Sequence, residues 1–265
     1  MQNAAFAAHG IDASYELQPL EPDEIATFFE RVRGREWLGF GVTAPYKQLS
    51  MQHIDEIEEG ARAIGAVNNG VRLGDGTLVG FNTDASGFLS ALDSMGTSPG
   101  GRSVVVIGAG GAARAVVWAL LSAGARSVLV ANRSPDRARD LAEDLSRHGE
   151  VSAGSFDPEH LGLALETADI AVNATTVGMS VGMTVDDVPF DVTPLPEHAV
   201  VFDLVYVPPK TPLVIAAEAR GLTVCNGLEM LVRQGEIAFE RWTGIGSTAS
   251  IMRTALYDWM AGDAS

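Results

Sequence analysis

The sequence predicts an α/β protein of two domains, and three observations carry that prediction. Helix and strand patterns alternate from end to end, which favours a mostly parallel sheet. A cluster, Thr97-Ser98-Pro99-Gly100-Gly101, interrupts them and marks a boundary. A chain of 265 residues with 46% hydrophobic content and 29 glycines is long enough for one or two cores.

The elements before the boundary read as helix 3–9, strand 14–18, helix 22–33, strand 38–43 and helix 46–58. Strands 66–73 and 77–82 follow, joined by Gly74-Asp75-Gly76, a hairpin signal. A helix over 84–95 leads to the boundary. Beyond it, RSVVVI is a strand and AARAVVWALLSAG a helix closed by glycine. SVLVAN is a strand, PDRARDLAEDLSRHG a helix, and DIAVNAT and AVVFDLVYV are buried strands. Helices at 228–241 and 249–261 complete the pattern.

Composition excludes some functions. The net charge of −16 argues against nucleic acid, which needs a basic footprint. No run of about 18 apolar residues predicts a membrane span, and no signal-peptide pattern opens the chain. One cysteine, Cys225, cannot form an internal disulfide, so the expected compartment is the cytoplasm. Only Lys47 and Lys210 are lysines. A high-GC genome and a salt-adapted cytosol both explain that bias. The five histidines show no metal spacing, so no metal is expected.

Gly108-Ala109-Gly110-Gly111-Ala112-Ala113 directly follows a strand and opens a helix, fitting G-x-G-x-x-G/A. Such glycines let the backbone approach a pyrophosphate, and the helix N-terminus supplies amides and positive dipole. The next strand ends at Asn132-Arg133-Ser134, with Arg137 one turn on. An NAD site usually carries Asp or Glu there, which would repel a 2′-phosphate. Two arginines, an amide and a hydroxyl favour NADP(H) instead.

Three stretches before the boundary, 39–47, 64–69 and 80–84, each place a polar cluster at the expected C-terminal end of a strand, the edge that faces ligand in open parallel sheets. Lys47 and Asp84 can meet there. A Lys–Asp pair suits proton transfer at a hydroxyl whose carbon exchanges a hydride. Thr43, Asn68 and Asn82 add groups suited to a polyhydroxy substrate. An exposed first-turn lysine and a helix-capping aspartate are the bland alternatives.

At these residues the sequence resembles the shikimate dehydrogenase family. Gly39, Val42, Thr43, Pro45 and Lys47 agree with its lysine motif, and IGAVN and Asn82-Thr83-Asp84 are intact. Asn132-Arg133-Ser134 resembles its NADP clamp, and Asn173-Ala174-Thr175-Thr176 its loop near the cofactor. Asp203-Leu-Val-Tyr206-x-Pro208, Gly227-Leu-x-Met230-Leu231-Val-x-Gln234, Trp242-Thr243-Gly244 and Met252-Arg253-x-Ala255-Leu256 match in order. The resemblance implies a substrate domain with a small mixed sheet, 1–85 plus 243–265, and a Rossmann-like NADP domain, 86–242. It implies reversible reduction of 3-dehydroshikimate, with Lys47 and Asp84 as acid–base pair. Thr43, Asn68, Tyr206 and Gln234 would hold the ring hydroxyls of a carboxylate polyol. Gly108, Gly110, Gly111, Ala112, Asn132, Arg133, Ser134, Arg137, Thr175 and Gly227 would surround NADP(H). A monomer or homodimer is expected.

The match also has departures. Family members begin with a strand and a Ser-x-Ser-Pro loop before a helix resembling QNAAF at 2–6, and that loop grips the substrate carboxylate. Either a start codon lies upstream or the chain is short. Gly41 stands where the family usually has Asn, and Asn69 where it has Thr. These two changes point to a paralogue for quinate or an amino analogue as the alternative reading. A regulator that kept the NADP site without turnover is the other, and retention of both Lys47 and Asp84 argues against it.

Overall fold

The computed structural model describes residues 1–180 and 186–262. The chain divides into two compact units, Met1–Gly87 with Leu231–Ser265, and Phe88–Met230.

The first unit opens with helices α1 (Gln2–Ala8) and α2 (Ile25–Val32) and strand β1 (Gly39–Gly41). Strand β2 (Glu56–Ile57), helix α3 (Glu59–Ile64) and a hairpin of β3 (Asn69–Arg72) and β4 (Leu78–Phe81) follow. Helix α4 (Asp84–Ser94) begins here and crosses the division. The sheet order is β1-β3-β4-β2; β3 is antiparallel to both neighbours and β2 parallel to β4. Helix α2 offers Ile25, Phe28, Phe29 and Val32, an i, i+3, i+4, i+7 stripe, to Phe40, Ile54, Val67 and Leu78. The Phe29 and Phe40 rings meet edge-on at 5.0 Å.

Two expected elements fail here for visible reasons. Residues 14–18 form no strand: the Tyr15 backbone is taken up by the Asn3 side chain, which accepts from Tyr15 N–H at 2.6 Å and donates to its carbonyl at 3.1 Å. Residues 46–58 form no long helix. Lys47 carbonyl accepts from Val67 N–H instead, a short 3₁₀ turn spans Leu49–His53, and Glu56–Ile57 joins the sheet beside Val79–Gly80. Tertiary pairing overrides local helix preference in that stretch.

The second unit runs β5 (Ser103–Ile107), α5 (Gly111–Ser122), β6 (Ser127–Ala131), α6 (Pro135–Leu145), β7 (Val151–Gly154), α7 (Pro158–Leu165), β8 (Ile170–Asn173), β9 (Val200–Asp203), α8 (Pro212–Ala219) and β10 (Thr223–Cys225). All pairs are parallel in the order β10-β9-β8-β5-β6-β7. This is the doubly wound arrangement, whose strand order reverses between β5 and β8. Strands β8 and β9 are buried throughout, as their continuous apolar runs require.

Helix α9 (Gly227–Thr243) carries the chain back, and α10 (Ala249–Gly262) closes it. The return falls at Leu231 rather than at 243. The later part of α9 packs into the first unit: Phe239 is fully buried with its ring 5.1 Å from Phe6, and Trp242 Nε1 donates to Gly70 carbonyl.

Asp55 ties the first unit together. Its carboxylate accepts from Arg33 and from Leu78 N–H, and these bonds hold its pKa below the usual carboxylate range. A depressed folded-state pKa contributes stability present above the unfolded value near 3.8 and lost as pH falls through the folded value. Asp55→Asn is expected to lower the denaturation midpoint at neutral pH. The difference should close in acid, as read by urea titrations across pH 2–7.

Candidate active site

The polar cluster sits at one edge of the first sheet. Because β3 is antiparallel to its neighbours, the start of β3 shares that edge with the ends of β1 and β4. The stretch 64–69 therefore reaches the site by entering a strand, not by leaving one as the sequence suggested.

Lys47 Nζ donates to Asp84 Oδ2 at 2.6 Å, and the two side chains are only 15% and 8% exposed. A buried ion pair is costly to desolvate unless its remaining lone pairs are satisfied. Asn68 meets that need, donating to Asp84 Oδ1 at 2.8 Å. Asn68 is held in turn by Thr83, whose N–H donates to Asn68 Oδ1 at 2.8 Å. The Thr83 hydroxyl accepts from Asn68 and Asn69 amides, both at 3.1 Å, and lies 3.2 Å from Gln234 Oε1 as donor. Two acceptances and one donation use the whole capacity of a hydroxyl.

The structure thus brings Lys47, Asp84, Asn68 and Gln234 into one network. Thr43 lies exposed on the loop after β1, two residues before Pro45, whose peptide bond is cis. Asn82 is redirected: its amide caps α4 by accepting from Asp84 and Ala85 N–H and donates to Ala66 carbonyl, so it has no spare group for a ligand. That cap frees Asp84 from capping and leaves its carboxylate for Lys47. Sequence reading missed Thr83 and the role of Asn69; a buried threonine inside Asn-Thr-Asp was the available signal.

In the second unit the glycine loop fits a dinucleotide phosphate. Gly108 has φ +118°, and a Cβ there would sit 2.8 Å from Ala174 carbonyl oxygen. Nothing lies within 4 Å of the Cβ position of Gly110, which precedes the first turn of α5 at Gly111 and Ala112. Ala113 is fully buried where the helix packs on the sheet. Asn132 donates to Ser134 carbonyl, and the Ser134 hydroxyl makes no cap bond at the start of α6. Arg133 and Arg137 are exposed, and neither forms an ion pair among the described residues. Free guanidinium groups beside Ser134 suit a phosphate on the ribose. Gly227 serves packing: a Cβ there would lie 2.1 Å from Leu204 carbonyl oxygen.

Asp203 joins the loops of this unit. It is fully buried, accepts from Asn173 Nδ2 at 2.8 Å and Val205 N–H at 3.0 Å through Oδ1, and from Thr211 Oγ1 at 2.6 Å through Oδ2. Burial raises its pKa, against the pull of these three bonds. Asn173 Oδ1 accepts from Thr175 N–H and Oγ1. One carboxylate therefore fixes the loop bearing Thr175 and the start of the loop bearing half-buried Tyr206.

Comparison with known proteins follows the same division. Residues 1–69 match the shikimate dehydrogenase substrate binding domain, 91–204 the shikimate / quinate 5-dehydrogenase family, and 227–257 the shikimate 5′-dehydrogenase C-terminal domain. A shikimate dehydrogenase (NADP(+)) of Symbiobacterium thermophilum is 43% identical over 96% of this chain and 87% of its own length. The chain belongs to the shikimate dehydrogenase family. Among solved members, shikimate 5-dehydrogenase from Thermus thermophilus in complex with NADP(H) and shikimate superposes with TM-score 0.82 at 37% identity, covering 96% of this chain and 90% of that one. Quinate dehydrogenase from Corynebacterium glutamicum in complex with NAD superposes with TM-score 0.88 at 30% identity, covering 97% and 92%. The fold is thus the family's two-domain α/β fold, with a Rossmann-type second unit.

Asp203→Ala leaves three buried donors without an acceptor, each costing about 1–3 kcal/mol. The expected result is a large loss of stability by urea unfolding. Asp203→Asn keeps one acceptor oxygen and is expected to lose less than half as much.

Proposed function

We propose that this chain catalyses the NADP-dependent, reversible reduction of 3-dehydroshikimate to shikimate. The observation that carries the reading is the enclosed Lys47–Asp84 pair, braced by Asn68 and Thr83, in a chain that also keeps the glycine loop and two unpaired arginines.

When bound, NADP(H) supplies the hydride. The protein supplies the proton. In the reductive direction Lys47 Nζ gives a proton to the oxygen that was the carbonyl, and Asp84 keeps the ammonium aimed. Oxidation returns the proton along the same path. Asn68 acts through Asp84, since its amide is committed to Asp84 and Thr83. Thr43, Gln234 and Tyr206 bind the ring hydroxyls of the carboxylate polyol. Gly108, Gly110, Gly111 and Ala112 take the pyrophosphate, Thr175 and Gly227 line the cofactor, and Asn132, Arg133, Ser134 and Arg137 take the 2′-phosphate ribose.

Gly41 and Asn69 lie beside the acid–base network, and this supports quinate as the second reading. Comparing kcat/KM for shikimate and quinate decides between them. A monomer or homodimer in the cytoplasm, with no nucleic-acid partner, accords with the net charge of −16 and the single cysteine. No helix among the described residues is long and apolar enough to cross a membrane.

Lys47→Ala is expected to lower kcat for shikimate oxidation by about 10²- to 10⁴-fold, with NADP+ affinity by fluorescence titration unchanged. Unaltered turnover would overturn the mechanism. Arg133→Ala is expected to raise KM for NADP+ by about ten- to a hundred-fold, the loss of one charge-assisted bond of about 1.5–3 kcal/mol. KM for NAD+ should hold steady in the same assay.

A further inference from the structure

Tyr15 belongs to no regular element, yet it is pinned on three sides. The Asn3 side chain binds both its backbone groups. Its ring stacks on Trp242, with centroids 5.8 Å apart and planes 25° from parallel. Trp242 is itself fixed by its bond to Gly70 carbonyl at 2.9 Å. The hydroxyl, by contrast, makes no hydrogen bond among the described residues, and burial raises its pKa. A half-buried phenol held this firmly with an unused donor is poised for a partner outside the chain.

The hydroxyl points at the polar cluster. Gly41 and Asn69 are opposite each other in the β1–β3 ladder. The point that a Cβ on Gly41 would occupy lies 2.5 Å from Tyr15 Oη and 3.5 Å from Asn69 Oδ1. Asn69 donates to the same Thr83 hydroxyl as Asn68, which binds Asp84. Absence of a side chain at Gly41 is therefore what admits the phenol to the Asn69 end of the network.

We propose that the Tyr15 hydroxyl is a further substrate contact, donating a hydrogen bond to an acceptor oxygen on the carboxylate polyol at the Asn69 end of the site. The proposal rests on the functional reading above and adds to it a specificity residue and the steric reason for Gly41. Tyr15 has no part in the proton transfer, so its effect falls on binding.

The test is steady-state shikimate oxidation by wild type, Tyr15→Phe, Gly41→Ala and the double variant. Tyr15→Phe keeps the ring stack and removes only the donor. It is expected to raise KM for shikimate about three- to ten-fold, as one neutral hydrogen bond allows, with kcat, KM for NADP+ and the thermal midpoint unmoved. Gly41→Ala should raise KM in the same direction by displacing the phenol, and the double variant should be no worse than Tyr15→Phe alone. An unchanged KM for shikimate in Tyr15→Phe, a parallel rise in KM for NADP+, or additive losses in the double variant would overturn the inference alone. A wild-type chain that neither oxidises nor binds shikimate would overturn the functional reading and this inference with it.

Discussion

The constraint on which the first unit depends is the enclosure of one ion pair. Lys47 and Asp84 come from segments 37 residues apart, and each is almost out of water. Their mutual attraction alone does not repay desolvation; the second oxygen of the carboxylate must also be satisfied. Asn68 satisfies it, and this fixes where Asn68 must stand. That in turn requires β3 to begin at the edge where β1 and β4 end, which only an antiparallel centre strand achieves. Val67 N–H bound to Lys47 carbonyl and Val42 N–H bound to Asn68 carbonyl close the same circuit through the backbone. The 46–58 stretch gives up helix to make that first bond.

The second unit solves a different problem with a similar device. Asp203 is as deeply buried as any residue in the chain, yet its three partners are neutral donors. Opposing effects follow for the carboxylate: burial favours its protonated form, and the three donors favour its charged form. What the arrangement secures is geometry. Gly108, Ala174 and Thr175 come from two strands on either side of the point where the strand order reverses, and a dinucleotide needs both loops fixed. Asp203 sets one of them through Asn173, while the absent side chain at Gly108 lets the other approach.

Much of this was legible in the sequence, because the strongest signals are local. The glycine loop was bounded by a buried strand and an apolar helix, so its place at the sheet edge followed from neighbours alone. The hairpin at Gly74-Asp75-Gly76 and the Lys47–Asp84 pair were legible for similar reasons of spacing and residue type. The direction of β3 was not, since periodicity carries no information about strand polarity. Nor was the absence of a strand at 14–18, because a tyrosine-containing extended segment looks alike whether a neighbouring strand or an asparagine side chain takes its backbone. Asn82 and Asp84 exchanged the roles that propensity suggests; both residue types cap helices, and only the third partner, Lys47, decides which one does. The return of the chain at Leu231 was hidden inside one continuous helix, whose pattern does not register which core each turn meets.

The placement of cations completes the argument. A protein of net charge −16 repels the anions it is read to bind, NADP(H) and a carboxylate. At physiological ionic strength that repulsion acts only over about 8 Å, so charges near the site outweigh the average surface. The two lysines are both committed, Lys47 to Asp84 and Lys210 to Glu218. Arg114, Arg126 and Arg139 in the second unit are likewise paired with aspartates. Arg133 and Arg137, which flank the end of β6, are not paired among the described residues. Pairing elsewhere and freedom here concentrates positive potential at the one edge where a ribose phosphate would arrive, and an acidic protein can in this way hold an anion without ceasing to be acidic.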